Sequence, residues 1–186
     1  MTAPAPAAPP TSPCVLGLRT PHLRSPADVD AAAALVAAAA GWPADALLAS
    51  SPAAGPPKHL ALVVVSPQPL PPHVLAAVTA AVGADGPSPD VEQRAAQGAA
   101  DRVVLFPGRE HLTGVLGVAD VLARGAVEAV VGLGGLVVPD DAVVDTRDHV
   151  RPRLLGGRLV LDVQPARGGR WVPFEAPTQH ACCSAH

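Results

Sequence analysis

The sequence predicts an α/β domain with a small, mostly parallel sheet that carries helices on both faces and is extended by a C-terminal antiparallel β-meander. Three observations predict this class. Strand-like and helical segments alternate through the first two thirds of the chain, as in parallel sheets with right-handed crossovers. Residues 59–65 are predicted as a strand that is continuously apolar after His59, as in a strand covered on both faces. Residues 142–174 show no helical period, and glycines separate short strands there.

The individual elements follow from capping, proline and glycine signals. Ser25, Pro26 and Asp28 predict a capped helix start, and Gly41 predicts the end of that helix. Further helices are predicted at 42–49, 73–82 and 109–124 and after Ser88, and strands at 14–18, 59–65, 102–106 and 127–133. The meander is predicted as strands 142–150, 158–163 and 170–174, with turns at 156–157 and 166–169.

These elements divide the chain into four segments. Residues 1–13 are expected to form a disordered Pro/Ala-rich arm, and residues 14–138 the α/β core. Residues 139–176 form the meander, packed on or extending the same domain, and residues 177–186 form a Cys/His tail. A chain of 186 residues suits one domain.

Composition narrows the class of protein. Hydrophobic residues make up 49% of the chain and charged residues 16%, which is typical of a globular protein. The net charge is −3, Lys58 is the only lysine and no segment gathers Lys and Arg, so the clustered cations of a nucleic-acid-binding face are missing. The start of the chain lacks a cationic signal region, and no apolar stretch reaches the roughly 20 residues of a membrane span. We therefore expect a bacterial cytoplasmic protein with reduced cysteines, no nucleic-acid partner and no membrane contact.

A first candidate site lies at the predicted strand ends. The segments that leave the first three strands carry Arg19, His22, His73, Arg109 and His111. In an open parallel sheet these segments meet along one edge, where helix N-termini attract anions. The sequence therefore predicts that they bind a small anion or a metal ion. The alternative is that each histidine is an exposed loop residue.

A second candidate site is the tail. His180, Cys182, Cys183 and His186 offer imidazole and thiolate ligands, which suit zinc or another thiophilic metal. Their spacing differs from that of structural zinc sites, so we expect two ligands from the tail, completed by the domain or a second subunit. The alternative is a chain end with incidental Cys and His.

An acidic run precedes the last strands and offers a weaker candidate. Asp145 and His149 share one face of the predicted strand 142–150, and Asp148 lies on the other. Paired carboxylates can hold a metal or transfer protons, but a solvated edge with an Asp–Arg pair is the favoured interpretation.

Three functions are compatible with these patterns. The first is a small-ligand or metal-binding domain, which we favour because no nucleophile or base can be named. The second is a small metal-dependent hydrolase or transferase that uses the strand-end histidines. The third is a non-catalytic assembly subunit whose Ala/Val-rich helices form a homo-oligomer contact.

Overall fold

Two β-sheets and four α-helices form the part of the chain that the computed structural model describes, residues 13–39 and 41–176. None of these helices combines the length and apolar character needed to cross a bilayer. The helices are α1 (Pro26–Ala38), α2 (Pro72–Ala81), α3 (Pro89–Ala96) and α4 (Val118–Arg124). The strands are β1 (Cys14–Arg19), β2 (Leu47–Pro52), β3 (Leu60–Ser66), β4 (Gly86–Pro87), β5 (Ala99–Ala100), β6 (Arg102–Leu105), β7 (Val115–Gly117), β8 (Val127–Gly132), β9 (Val143–Asp145), β10 (Arg153–Leu155), β11 (Arg158–Pro165) and β12 (Trp171–Pro173).

The strands pair mostly in antiparallel directions. The first sheet, called sheet A, has the order β4-β1-β3-β2-β6, and every neighbouring pair in it is antiparallel. The second, called sheet B, has the order β5-β10-β11-β12-β9-β7, with β8 paired to β11 beside this path. Its parallel pairs are β8–β11 and β12–β9. The prediction of a mostly parallel sheet is therefore wrong.

The parallel direction was wrongly predicted because of two strands, β3, whose apolar pattern does not report direction, and β2, which was predicted as a helix. A strand buried on both faces is continuously apolar whatever the direction of its neighbours, so the pattern of β3 reports burial and not polarity. Residues 42–49 were predicted as a helix, but Leu47–Pro52 forms a strand that pairs antiparallel with β3 over six residue pairs. This strand separates β3 from β6, and the expected parallel neighbours never meet.

Sheet A lies between two apolar cores. On one face, Leu62 and Val64 of β3 pack in the cluster that contains the buried residues of α1 and α2. On the other face, Ala61 and Val63 pack in the cluster that contains α3 and the inner residues of sheet B. The molecule is thus layered as helices, sheet A, and sheet B with α3.

Local signals vary in how well they predict these elements. The capping box of α1 is confirmed, because Ser25 Oγ accepts from the Asp28 amide and Asp28 accepts from the Ser25 amide. The predicted helix 109–124 is wrong over most of its length. Gly114 adopts a positive φ of 69°, β7 pairs with β9, and only Val118–Arg124 is α-helical.

The predicted C-terminal turns are confirmed in position. Gly156 and Gly157 have φ values of 59° and 79° and link β10 to β11 as a two-residue hairpin. Such a loop needs positive φ at both central positions, which glycine adopts without strain. The turn at 166–169 links β11 to β12. The strand before the first turn is Arg153–Leu155, which was not predicted. The predicted strand 142–150 is shorter in the structure and covers only Val143–Asp145.

Candidate functional site

The predicted strand-end residues lie at two opposite ends of the strands of sheet A. Strand β1 is antiparallel to β3, so Arg19, its last residue, and His22, which follows it, lie at the end of the sheet opposite to His73, which follows β3. Strand β6 runs in the same direction as β3, since both are antiparallel to β2. Arg109 and His111 therefore leave on the same side as His73. The common rim expected from a parallel sheet does not form.

Their immediate contacts agree with this separation. Arg19 pairs with Asp85 at 2.8 Å, and a Cβ on Gly83 would lie 3.2 Å from the His22 ring, so both are near the C-terminal end of α2. His73 is in the first turn of α2, whose ten residues span about 15 Å. That each of these residues binds a ligand stays a prediction, but they do not form one shared pocket.

The second predicted site lies elsewhere. His180, Cys182, Cys183 and His186 lie outside the described residues. The acidic run does contribute to a cluster, although not through strand alternation, because β9 ends at Asp145.

A cluster of five ionisable residues joins four parts of the chain. Arg102 at the start of β6 donates from Nε to Glu175 Oε2 at 2.7 Å and from Nη2 to Asp30 of α1 at 2.8 Å. Arg151 lies 2.9 Å from the other oxygen of Asp30, and His149 Nε2 lies 3.0 Å from Glu175 Oε1. The Arg102 side chain is 9% exposed, so the cluster is largely removed from water on that side.

Electrostatics stabilise both carboxylates of this cluster in the charged form. Burial alone would raise the pKa of Asp30, but hydrogen bonds and charges from Arg102 and Arg151 outweigh it and lower that pKa. Burial also opposes ionisation of Glu175, and the hydrogen bonds from Arg102 and His149 again lower its pKa. The paired guanidinium groups therefore compensate the two partly buried negative charges.

A tight turn directs His149 into this cluster. The His149 amide donates to the Thr146 carbonyl at 2.9 Å, and the two residues between them, Arg147 and Asp148, have φ values of 51° and 52°. Non-glycine residues rarely adopt such values. Gly114 holds the turn, since its amide donates to Asp148 Oδ1 at 2.7 Å and its carbonyl accepts from Thr146.

The same cluster contains a possible set of metal ligands. One ligand atom each from Asp30, His149 and Glu175 lies within 4.8 Å of the others, and imidazole and carboxylate groups both ligate divalent metals. Both carboxylates, however, already accept hydrogen bonds from guanidinium groups, and two arginines offset their charge. A divalent cation would have to displace Arg102, so the arrangement favours a structural ion-pair network over a metal centre.

A cavity of the described residues lies where sheet A faces sheet B. Its volume is about 700 Å³. The floor is apolar and comes from both sheets, with Leu47 of β2, Val65 of β3, Leu154 of β10 and Leu159 of β11. The C-terminal end of α3 and the β10–β11 turn border it with small residues, namely Ala95, Ala96, Gly98, Gly156 and Gly157.

Close backbone contact fixes one wall of this cavity. The Gly157 amide donates to the Gly98 carbonyl at 3.0 Å, which joins the end of α3 to the hairpin turn. A Cβ on Gly98 would lie 2.4 Å from the Gly157 nitrogen, and Gly98 has a φ of 76°. Only glycine fits this position without movement of the backbone.

Sequence patterns did not reveal these sites. Asp30 within an Ala-rich helix and Arg102 at the start of an apolar strand are visible as isolated charges in the sequence. Their contacts span 72 and 73 residues along the chain, so no local spacing identifies the partners. Compared with protein-family models, curated proteins and solved structures, the chain has no significant match.

Proposed function

We propose that this domain binds a small organic molecule in the cavity between sheets A and B. The observation that carries the proposal is the cavity itself, whose volume of about 700 Å³ falls within the usual range for small-molecule sites. Its floor of Leu47, Val65, Leu154 and Leu159 offers apolar surface to the body of a ligand. Removal of that surface from water would supply most of the binding free energy.

The framework around the cavity also supports this function. Sheet A and sheet B each contribute residues with regular backbone hydrogen bonds, and Gly98 ties α3 to the hairpin. A cavity built on such elements is held open before a ligand arrives, which reduces the entropy lost on binding.

Binding of Nile red, a neutral apolar dye, tests the proposal. We expect the full chain to increase and blue-shift Nile red fluorescence. The variant Ala96→Trp, which fills the mouth from an exposed lining position, should weaken binding by about tenfold or more, equivalent to ~1.4 kcal/mol.

The matched control is Ala76→Trp, an exposed alanine of α2 that does not line the cavity. It should bind the dye as the unmodified chain does. Equal dye binding by both variants, or none by the unmodified chain, would show that this cavity is not a binding site.

A further inference from the structure

The charged side chains that line the cavity are all of one sign. Among the described residues that line it, the ionisable side chains are Asp45 and Glu128, and none is an arginine, lysine or histidine. A carboxylate or phosphate ligand would therefore meet like charges at this site. The small anion expected from the sequence does not suit this cavity.

Glu128 is fixed at the cavity wall by its neighbours. Its Oε1 accepts a hydrogen bond from the amide of Leu159, a floor residue, at 3.3 Å. Arg158 lies 3.4 Å from Oε2, in a pair whose side chains are 59% and 50% exposed. Such an exposed pair is weak, so Arg158 offsets the charge of Glu128 only in part.

Asp45 is positioned by a turn that enters β2. The Ala46 amide donates to the Pro43 carbonyl at 3.2 Å, and Leu47 of the cavity floor follows directly. Within the part of the chain that the structure describes, no cationic side chain lies at ion-pair distance from Asp45. Asp45 is exposed, so its carboxylate can contact a ligand cation.

We infer that the ligand is an organic cation, a primary or quaternary amine with an apolar body. The apolar part would lie on Leu47, Val65 and Leu159, and the ammonium group would face Asp45 and Glu128. This inference rests on the proposed function, since it names the ligand class of the same cavity. It adds a charge requirement that apolar burial alone does not impose.

Three dansyl probes that share one fluorophore and a similar alkyl chain test the inference. They are dansylcadaverine with a terminal ammonium, its N-pentyl analogue with a terminal methyl, and dansyl aminohexanoate with a terminal carboxylate. Their dissociation constants are measured for the unmodified chain and for the double variant Asp45→Asn/Glu128→Gln. The glutamine keeps an acceptor oxygen for the Leu159 amide.

We expect the double variant to weaken the ammonium probe by about three- to tenfold, the size that one or two partly exposed ion pairs supply. The methyl probe should be unchanged and the carboxylate probe should bind more tightly. A control variant, Asp140→Asn/Asp141→Asn, removes two exposed charges that do not line the cavity and should leave all three probes unchanged.

The outcomes separate the two proposals. If all probes bind and the double variant alters none of them, or if the control variant reproduces its effect, the amine inference is wrong while binding in the cavity stands. If no probe binds and Nile red also fails to bind, the cavity has no such function and both proposals are wrong.

Discussion

Arg102 is the residue on which the buried ion-pair cluster depends. It donates to both Glu175 and Asp30, so one guanidinium group joins α1 to the segment after β12. Removing one partner of a buried pair costs more than the pair itself contributes, because the remaining charges lose their compensation. At this site two carboxylates would lose a donor together.

We therefore predict that Arg102→Met lowers the free energy of unfolding by about 2–4 kcal/mol. Methionine retains the apolar stem of the side chain but cannot donate to either carboxylate. Urea denaturation at neutral pH, followed by circular dichroism, measures the loss.

Arg19→Met is the matched control, since Arg19 and Asp85 form a pair with side chains 53% and 47% exposed. It should cost no more than about 1 kcal/mol. Similar losses for both variants would contradict the structural role assigned to the buried cluster.

The residues of this cluster show a limit of sequence interpretation at the residue scale. His149 was noted in an acidic run, where a strand face was expected to present it. A turn presents it instead, because Arg147 and Asp148 adopt positive φ values that their residue types do not predict. Its partner Glu175 is 26 residues away, a relation that only the folded chain establishes.

At the scale of elements, the contact between α3 and the β10–β11 hairpin is constrained in two ways. Gly98 requires a positive φ and also approaches the backbone of Gly157. These two constraints can be separated, because Gly168 has nearly the same φ, 77°, but no atom within 4 Å of an added Cβ.

We predict that Gly168→Ala costs about 1 kcal/mol through φ alone. Gly98→Ala should cost about 2–4 kcal/mol, since backbone must also shift to admit the methyl group. Thermal or urea denaturation of both variants gives the comparison. Equal costs would show that the close approach of α3 to the hairpin contributes nothing.

Elements with strong local signals were predictable, and the short strand β12 lies within the predicted strand 170–174, but other short strands were missed. The capping box fixed the start of α1, and paired glycines fixed the β10–β11 turn. The three-residue strands β7 and β10 have too few residues to display an alternating pattern. Tertiary pairing overrides the helical stripe that residues 109–124 display in sequence.

At the scale of the whole molecule, both apolar cores share sheet A. One core lies between sheet A and helices α1 and α2, and the other between sheet A and sheet B. Each contains one tryptophan at its border, Trp42 in the first and Trp171 in the second. Loss of sheet A would therefore disrupt both cores.

We predict that the domain unfolds in one cooperative transition. Single-tryptophan variants, Trp42→Phe and Trp171→Phe, should give denaturation midpoints by fluorescence that coincide with the midpoint by circular dichroism for the same variant. A fluorescence midpoint that differs from the circular dichroism midpoint in either variant would show that the two cores unfold separately.

The topology could not be predicted because its signal is nonlocal. Burial on both faces of β3 was correctly expected, but strand direction depends on which segment pairs with which. Strand β2 determines the pairing, because it lies between β3 and β6 and is antiparallel to both. Its sequence, Leu47–Pro52, contains two serines and a proline, which weaken the strand signal.

The passage of the chain from β5 in sheet B to β6 in sheet A bears on how a ligand would enter. Only Asp101 separates the two strands, and the Val103 amide donates to the Pro152 carbonyl at 2.7 Å. So short a link, with this hydrogen bond beside it, resists separation of the two sheets at this point. A ligand would then bind and dissociate through the solvent-facing mouth near Ala96 and Gly156, without any rearrangement of the two sheets.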